Sequence, residues 1–337
     1  MDVFSTVASA GRAFLRDAAV HAAWQLGLFA ALAAPRSVEE LAAALAVDAR
    51  RLRALADVLV LERVLARDGA RLALAPPSAP PRPPAPPPHG WGRLAEVLRS
   101  GRPLDEPEHA AAFHRHLFDA GAAAARELAA RLAPELGAGT ILDGGGGAGA
   151  YTAALLDAAP AARATLVDRA AVLPFAREAL AGYAPRVDFV AGDLLDASTA
   201  LGGGHALGVL ANVLHLHPPD ACARLVARVA AAVAPGGRVV IKEVLVEPDR
   251  SGPASGLLFA LNMALYTDGG DAYDAGQLAA WLRAAGLDEP RAERLAAAPD
   301  AVVVSARKIN DRGSVIGEIN DPGSVIGEIN DRGSVSE

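Results

Sequence analysis

The stretch ILDGGGGAGAYT, residues 141–152, decides the fold of this chain. An apolar run ends at Asp143, passes through four consecutive glycines and restarts as a helical pattern over residues 151–158. Glycine tolerates positive φ and places no Cβ between the backbone and a bound ligand. A strand, a tight turn and a helix start in this order predict a site for a nucleotide-like molecule at the carboxyl edge of a parallel sheet.

The composition limits the class of protein. The chain has 337 residues, enough for two domains, and 52% of them are apolar. The sequence contains no run of about 18 apolar residues, the length that would predict a membrane span. We therefore expect a soluble, cytoplasmic protein. The single cysteine, Cys222, excludes an internal disulfide framework and a zinc site built from cysteines. A net charge of −7 gives no positive footprint for nucleic acid.

Residues 1–75 predict a winged helix-turn-helix. Ser37 and Glu40 have the spacing of a capping box, and Asp48 can cap the following helix. The predicted elements are helices over 10–32, 38–46 and 49–61, then a hairpin over 64–74 around an Asp-Gly turn.

Such a motif often binds DNA, and three arginines of its second helix, Arg50, Arg51 and Arg53, have to be explained. Phosphate contacts are one interpretation. Because the surrounding domain is not basic overall, we expect a solvated face instead. The motif is then predicted to pack against a partner subunit.

The rest of the chain divides by composition. Nine prolines in residues 76–88 exclude regular helix and predict an extended linker. Alternating strands and helices after residue 139 predict an α/β domain with a largely parallel sheet. The predicted segments are a linker over 76–90, connecting helices over 91–139, the α/β domain over 140–308, and a disordered tail of ten-residue repeats over 309–337. The predicted strands cover 140–143, 164–168, 187–191, 207–211, 238–246 and 301–306.

Polar residues stand where three of these strands end. Asp168 ends the second strand, and an acid there can accept hydrogen bonds from both hydroxyls of a ribose. Asp193, in the segment Gly192-Asp193-Leu194, can accept from an adenine amine while Leu194 flanks the ring. The fourth strand is followed by Asn212 and His215. Together these positions favour a cofactor that carries adenosine.

In order, the segments LDGGGGAG, VD, GDL, NVLH and PGGRVVIKE resemble the class I S-adenosylmethionine-dependent methyltransferases. Over residues 5–308 the layout resembles the small-molecule O-methyltransferases typified by plant caffeate and bacterial polyketide-tailoring enzymes. The resemblance implies an α/β fold: a Rossmann-like S-adenosylmethionine-binding domain with a mostly parallel sheet, preceded by an all-helical, winged-helix dimerisation domain. It also implies a homodimer that acts on a small molecule.

The resemblance assigns roles residue by residue. His215 falls on the general-base position, and Glu243 falls where a carboxylate orients that histidine. An unperturbed imidazole titrates near pH 6.5, so a neutral fraction is available to take a proton from a phenol or enol. The implied cofactor residues are Asp143, Gly144, Gly145, Gly147, Asp168, Arg169, Gly192, Asp193, Leu194 and Asn212. The implied substrate-pocket residues are His114, His116, His217, Asn262 and Met263.

The chain departs from the family pattern near the base. His215 is followed by Leu216 and His217, where the family has Asp-Trp. Ala272 stands where the match places a second catalytic acid, and Asp271 is the candidate substitute.

Four alternatives follow. His215 and His217 can be read as metal ligands together with His114, His116 or Glu243, although we expect no metal. The methyl acceptor can be nitrogen or carbon instead of oxygen. The cofactor can also serve structurally in a cyclisation, hydroxylation or decarboxylation. Finally, the winged helix can belong to a DNA-binding regulator. Methyl transfer to a hydroxyl of an aromatic or enolic metabolite is the predicted function.

Overall fold

The structure is a computed structural model that describes residues 3–76, 84, 89–104 and 111–309. Most of the predicted linker over 76–90 and nearly all of the predicted tail over 309–337 lie outside the described residues. The helices are α1 Val3–Leu26, α2 Leu28–Ala31, α3 Val38–Leu45, α4 Ala49–Leu61, α5 Leu94–Ser100, α6 Ala111–Leu136, α7 Ala150–Ala158, α8 Leu173–Ala179, α9 Pro219–Ala232, α10 Ala254–Tyr266 and α11 Ala275–Ala284. The strands are β1 Arg36–Ser37, β2 Leu65–Asp68, β3 Arg71–Leu74, β4 Thr140–Gly144, β5 Arg163–Asp168, β6 Val187–Ala191, β7 His205–Ala211, β8 Val233–Val244, β9 Leu287–Leu295 and β10 Ala298–Lys308.

Local signals place the N-terminal elements. Ser37 Oγ accepts a hydrogen bond from the Glu40 amide, and Glu40 accepts one from the Ser37 amide, so the predicted capping box opens α3. Asp48 caps α4 by accepting from the amide of Arg51. The helix predicted over 10–32 is divided at Gly27, whose φ of 74° ends α1 and starts α2.

The domain that begins at β4 is built on one sheet, whose strand order is β6-β5-β4-β7-β8-β10-β9. Strands β4 to β8 pair in parallel, as the alternating pattern predicts, whereas β10 runs antiparallel between β8 and β9. Strand β9 was missed by the sequence analysis because only its ends, Leu287 and Leu295, are buried. An edge strand with so few buried residues lacks the alternating apolar pattern.

Alternate residues of the sheet face two different helical layers. Ile141 and Val209 pack against α6 and α7, while their neighbours Leu142 and Leu210 face α9 and α11. This arrangement brings the carboxyl ends of β4, β5, β6, β7 and β8 to one edge, where the polar residues predicted from the sequence follow the strands. Among the described residues, no helix is both long and apolar enough to cross a membrane.

Helix α10 follows β8 in the chain but packs with the N-terminal domain. Its residues Leu261, Ala264 and Leu265 belong to the same apolar core as Leu52 and Leu55 of α4. The core of the N-terminal domain therefore includes a helix that lies, by sequence, within the predicted α/β domain.

The prediction that the arginines of α4 form a solvated face is wrong for Arg51, whose residue is fully buried. Its guanidinium donates to the carbonyls of Ala264 and Thr267, at the end of α10, and to the carbonyl of Gly101 at 2.9 Å. The last carbonyls of a helix lack intrahelical partners and carry partial negative charge, which compensates a buried cation. Arg53, by contrast, is exposed and pairs with Glu39.

Candidate active site

The turn between β4 and α7 has an open side. A Cβ at Gly146 would lie 2.6 Å from Leu166 Cγ, so the sheet fills the space behind this residue. Gly147 has a φ of 57°, and a Cβ there would meet nothing within 4 Å. Glycine is therefore required at Gly147 by its conformation and not by crowding. Gly147 is partly buried, and the open space beside its Cα is available to a ligand.

Asp168, at the end of β5, holds this turn. One carboxylate oxygen accepts from the amide of Gly147 at 2.8 Å, and the other accepts from the amide of Arg169 at 2.7 Å. The acid predicted to bind a ribose thus contacts the open side of the glycine turn. Arg169 itself is exposed.

Asp143 supports the turn from beneath. It is buried and accepts from the hydroxyl of Thr152 at 2.6 Å. Burial, with a smaller contribution from the nearby charge of Asp168, raises the pKa of Asp143 to about 6, although the Thr152 hydroxyl opposes the rise. The described contact of Asp143 is with the first turn of α7, which fixes the helix start relative to β4.

The loop after β6 forms the neighbouring wall. Asp193 Oδ1 accepts from the amide of Leu195, and Leu194 is buried beside the position of Gly144. A Cβ at Gly192 would lie 2.4 Å from Thr199, so only glycine fits there. The sequence analysis missed Arg228 of α9, whose guanidinium donates to the carbonyls of Leu194, Asp196 and Thr199 and so holds this loop.

Asn212 follows β7 in the left-handed region, with a φ of 58°. Its side-chain oxygen accepts from Lys242 Nζ at 2.7 Å, and its backbone N–H donates to the backbone carbonyl of Lys242. Burial lowers the pKa of Lys242, against the opposing charge of Glu243. Lys242 was also missed, although a lysine within an apolar strand is a visible signal.

His215 and Glu243 come together as predicted. His215 lies on a short 3₁₀ turn, Leu214–Leu216, and its Nδ1 is 2.7 Å from Glu243 Oε2. The other carboxylate oxygen accepts from the amides of Val213 and Leu214, at 2.8 and 2.7 Å. Both side chains are buried, with Glu243 only 1% exposed. The carboxylate therefore fixes the turn and the ring at once.

The charge of Glu243 is stabilised in place. Burial alone would raise the pKa of Glu243, but His215, the Leu214 amide and Lys242 together hold it below its usual value of 4.5. A charged carboxylate at Nδ1 favours the tautomer with a proton on Nδ1, which leaves a lone pair on Nε2. Among the described residues, no protein group bonds to Nε2.

The couple adjoins the glycine turn. A Cβ at Gly145 would lie 2.7 Å from a methyl of Val213, the residue whose amide donates to Glu243. On the other side, the ring of Phe259 from α10 meets His215 edge-on, with centroids 4.8 Å apart. His217 is half-buried, and burial lowers its pKa, while the charge of Asp193 opposes this shift.

The predicted pocket residues differ in their burial and in their contacts. Phe259, one turn before Asn262 and Met263, is the α10 residue that touches His215. Asn262 is partly buried, and Met263 is buried. His114 is buried and stacks on Phe175 of α8 with ring centroids 4.1 Å apart, whereas His116 is exposed.

Asp271 does not substitute for the second acid. Its carboxylate receives two hydrogen bonds from Arg250, at 3.2 and 3.3 Å, and Arg250 also donates to Asp57 of α4. Both oxygens of the Asp271 carboxylate therefore accept from a single guanidinium. In this arrangement the carboxylate holds the loop and is not placed to transfer protons. As for the metal alternative, no three histidine, cysteine, aspartate or glutamate side chains converge on one point within the described ranges.

Comparison with known proteins identifies this arrangement. A model of the O-methyltransferase domain matches residues 101–288. The chain belongs to the O-methyltransferase family. The enzyme is S-adenosylmethionine-dependent, as the resemblance implied.

Individual relatives agree with this assignment. The enzyme is 31% identical over 220 residues to 3-hydroxy-5-methyl-1-naphthoate 3-O-methyltransferase of Streptomyces sahachiroi, in an alignment covering 61% of this chain and 63% of that relative. It is 26% identical over 324 residues to the tetracenomycin polyketide synthesis 8-O-methyl transferase of Streptomyces glaucescens, covering 88% of this chain and 94% of that one. Among solved structures, an O-methyltransferase family 2 protein from Planctomyces limnophilus, in complex with apigenin, matches with a TM-score of 0.69 and 26% identity over 92% of this chain and 97% of that one.

These comparisons confirm the predicted fold class and the choice of oxygen as acceptor. The chemistry of the residues at this edge of the sheet also fits the cofactor. An open glycine backbone and the acids Asp168 and Asp193 offer acceptors for hydroxyls and an amine, on neighbouring strands of one edge.

Proposed function

We propose that this enzyme methylates a phenolic or enolic hydroxyl of a small aromatic, polyketide-type metabolite, with His215 as the general base. The observation that carries the proposal is the buried His215–Glu243 couple, which is joined through Val213 to the glycine turn. The printed substrates of the relatives support the substrate class: one acts on a hydroxynaphthoate, and another acts in tetracenomycin polyketide synthesis.

When bound, the cofactor would supply a methyl group activated on a sulfonium sulfur, and that sulfur would keep the electron pair of the broken C–S bond and leave as a neutral thioether. Glu243 holds the proton of His215 on Nδ1, so that Nε2 can accept the proton of the substrate hydroxyl as the oxygen forms its bond to the methyl carbon. The carboxylate then stabilises the imidazolium that results. Phe259 and the turn around His215 keep the base away from bulk water and orient it. Alignment of the hydroxyl with the methyl group contributes a further large share of the rate.

The roles proposed for the remaining site residues follow from where each residue lies along the carboxyl edge of the sheet. Asp168 is proposed to accept from the ribose hydroxyls, and Asp193 to accept from the adenine amine. The methionine end is assigned to the turn at Gly147 and its neighbours. The other proposed cofactor residues are Asp143, Gly144, Gly145, Arg169, Gly192, Leu194 and Asn212. The proposed substrate pocket contains His114, His116, His217, Asn262 and Met263, to which the contact with His215 adds Phe259.

A labelling experiment tests the function. The purified enzyme is incubated with methyl-labelled S-adenosylmethionine and either 3-hydroxy-5-methyl-1-naphthoate or apigenin, the compounds printed for two relatives. We expect one labelled methyl group on oxygen in at least one product, measured by mass spectrometry. The fully O-methylated ethers of these compounds are the control and should take up no label. A product that forms without label, or a label found on carbon, would contradict the proposal.

A second prediction concerns the cofactor alone. Replacing Asp168 with alanine should raise the Kd for S-adenosylhomocysteine roughly 10²- to 10⁴-fold, since two hydrogen bonds to a charged group are together worth about 3–6 kcal/mol. Asp188→Ala on the adjacent strand is the matched control. Asp188 is an exposed aspartate whose Oδ2 lies 3.8 Å from a guanidinium nitrogen of Arg163, and it is not assigned to the cofactor. Isothermal titration calorimetry measures both variants. Equal affinities would remove Asp168 from the cofactor site.

We also infer a homodimer formed through residues 1–75, and a cytoplasmic location. The helical N-terminal region supports the first, because it is consistent with the family's dimerisation domain. Light scattering on the purified enzyme measures the mass, and a monomer at micromolar concentration would contradict the dimer.

A further inference from the structure

Two arginines of α4 reach into the loop that follows α10. This loop, Thr267–Asp271, is called the Gly-Gly loop below. Arg50 donates to the carbonyl of Gly270 at 2.5 Å and to the carbonyl of Asp268 at 3.0 Å. Arg51 donates to the carbonyl of Thr267 at 3.1 Å. A guanidinium presents its donors in a rigid fork, so Arg50 fixes two carbonyls of the loop at once.

The Gly-Gly loop lies directly against the turn that carries His215. A Cβ at Gly270 would lie 2.2 Å from the carbonyl oxygen of His215, and one at Gly269 would lie 2.7 Å from Pro218 Cβ. The backbone of the loop is thus in contact with the catalytic turn, with no room for a side chain between them. The amide of Gly270 also donates to Thr267 Oγ1, which closes the loop on itself.

The far end of the Gly-Gly loop is held from the same helix. Asp57 of α4 is buried and accepts from Arg250, which in turn binds both oxygens of Asp271. Helix α4 therefore holds the loop directly at Gly270 and, through Arg250, at Asp271. A displacement of this loop would move the surface on which the His215 turn rests.

We propose that Arg50 is a positioning residue for methyl transfer: it holds Gly270 against the backbone of His215 and so sets the place of the imidazole. This inference rests on the proposed role of His215 as the base. The N-terminal domain thereby contributes to catalysis within a single chain, through the backbone on which the base rests.

The test compares Arg50→Met with Arg53→Met. Arg53 lies on the same helix but is exposed and pairs with Glu39, so its loss leaves the loop untouched. A displacement of a catalytic group by about 1 Å can cost about 100-fold, so we expect Arg50→Met to lower kcat roughly 10- to 100-fold. The Kd for S-adenosylhomocysteine should stay within about twofold, because the cofactor turn lies on other strands. Arg50→Lys keeps the charge without the fork and should recover part of kcat.

A double variant separates a positioning role from a structural one. If Arg50 acts through His215, then adding Arg50→Met to His215→Gln should lower kcat no further. An equal loss in both backgrounds would overturn the inference, as would wild-type turnover in Arg50→Met. Wild-type turnover in His215→Gln alone would instead refute the proposed base. Should Arg50→Met fail to fold, Arg50→Lys carries the same comparison.

Discussion

Replacing His215 with glutamine should lower kcat by roughly 10²–10⁴, the range over which a positioned general base accelerates proton transfer. Glutamine can still donate to Glu243 from its amide, so the buried carboxylate keeps a partner and the fold is retained. The Kd for S-adenosylhomocysteine should remain near the wild-type value, since His215 is assigned to the acceptor and not to the cofactor. Steady-state kinetics and calorimetry measure the two quantities separately.

The control for this variant is His205→Gln. His205 is also a buried histidine, but it lies at the opposite end of β7 and contacts the carbonyl of Leu201. Its replacement tests whether the loss of any buried imidazole lowers activity. If kcat in His215→Gln matched that of the control, His215 would not be the base.

Replacing Glu243 with glutamine should have a comparable effect, by a different route. The carbonyl oxygen of the glutamine can accept from the amides of Val213 and Leu214, as Glu243 Oε1 does. Its NH₂ group then faces Nδ1 of His215 and requires that atom to accept. The ring proton moves to Nε2, where the base needs a lone pair. The same change in another histidine–carboxylate couple lowers kcat about 10⁴-fold with the geometry intact.

Nitrogen-15 NMR measures which nitrogen of the His215 imidazole carries the proton. This tautomer would not change if Glu243 had only a structural role. Wild-type enzyme should show the neutral tautomer protonated on Nδ1, and Glu243→Gln the tautomer protonated on Nε2.

The pH dependence of stability is a second check. Because the fold lowers the pKa of Glu243, its charge stabilises the folded state above the usual pKa of 4.5, and this stabilisation is lost as the pH falls through the lowered value. The variant lacks that dependence. An unchanged tautomer with unchanged kcat would contradict the assigned role.

Signals confined to a few neighbouring residues predicted local structure well. The capping box at Ser37 and the cap at Asp48 placed α3 and α4, and the glycine run placed the end of β4. The pairing of His215 with Glu243 was also predicted, because the family resemblance put each on the end of an adjacent strand. Such features depend on spacing along one element or on strand ends that meet at one edge.

Features that depend on distant parts of the chain were not predictable in this way. Arg51 is buried because the end of α10, more than 200 residues later, supplies carbonyls to it. Asp271 pairs with Arg250, a residue that Asp57 of α4 holds in place. The charge of a side chain is visible in the sequence, but its partner is set by tertiary packing.

The membership of α10 in the N-terminal core defines what can be exchanged between relatives. A chimera that joins the N-terminal domain of one enzyme to the catalytic half of another would place a foreign helix against Leu52 and Leu55, and a foreign carbonyl array against Arg51. The packed unit is therefore discontinuous in sequence: residues 3–76 and 89–104 together with residues 254–271. Recombination in which both segments move together preserves the packed unit, whereas a single crossover separates it.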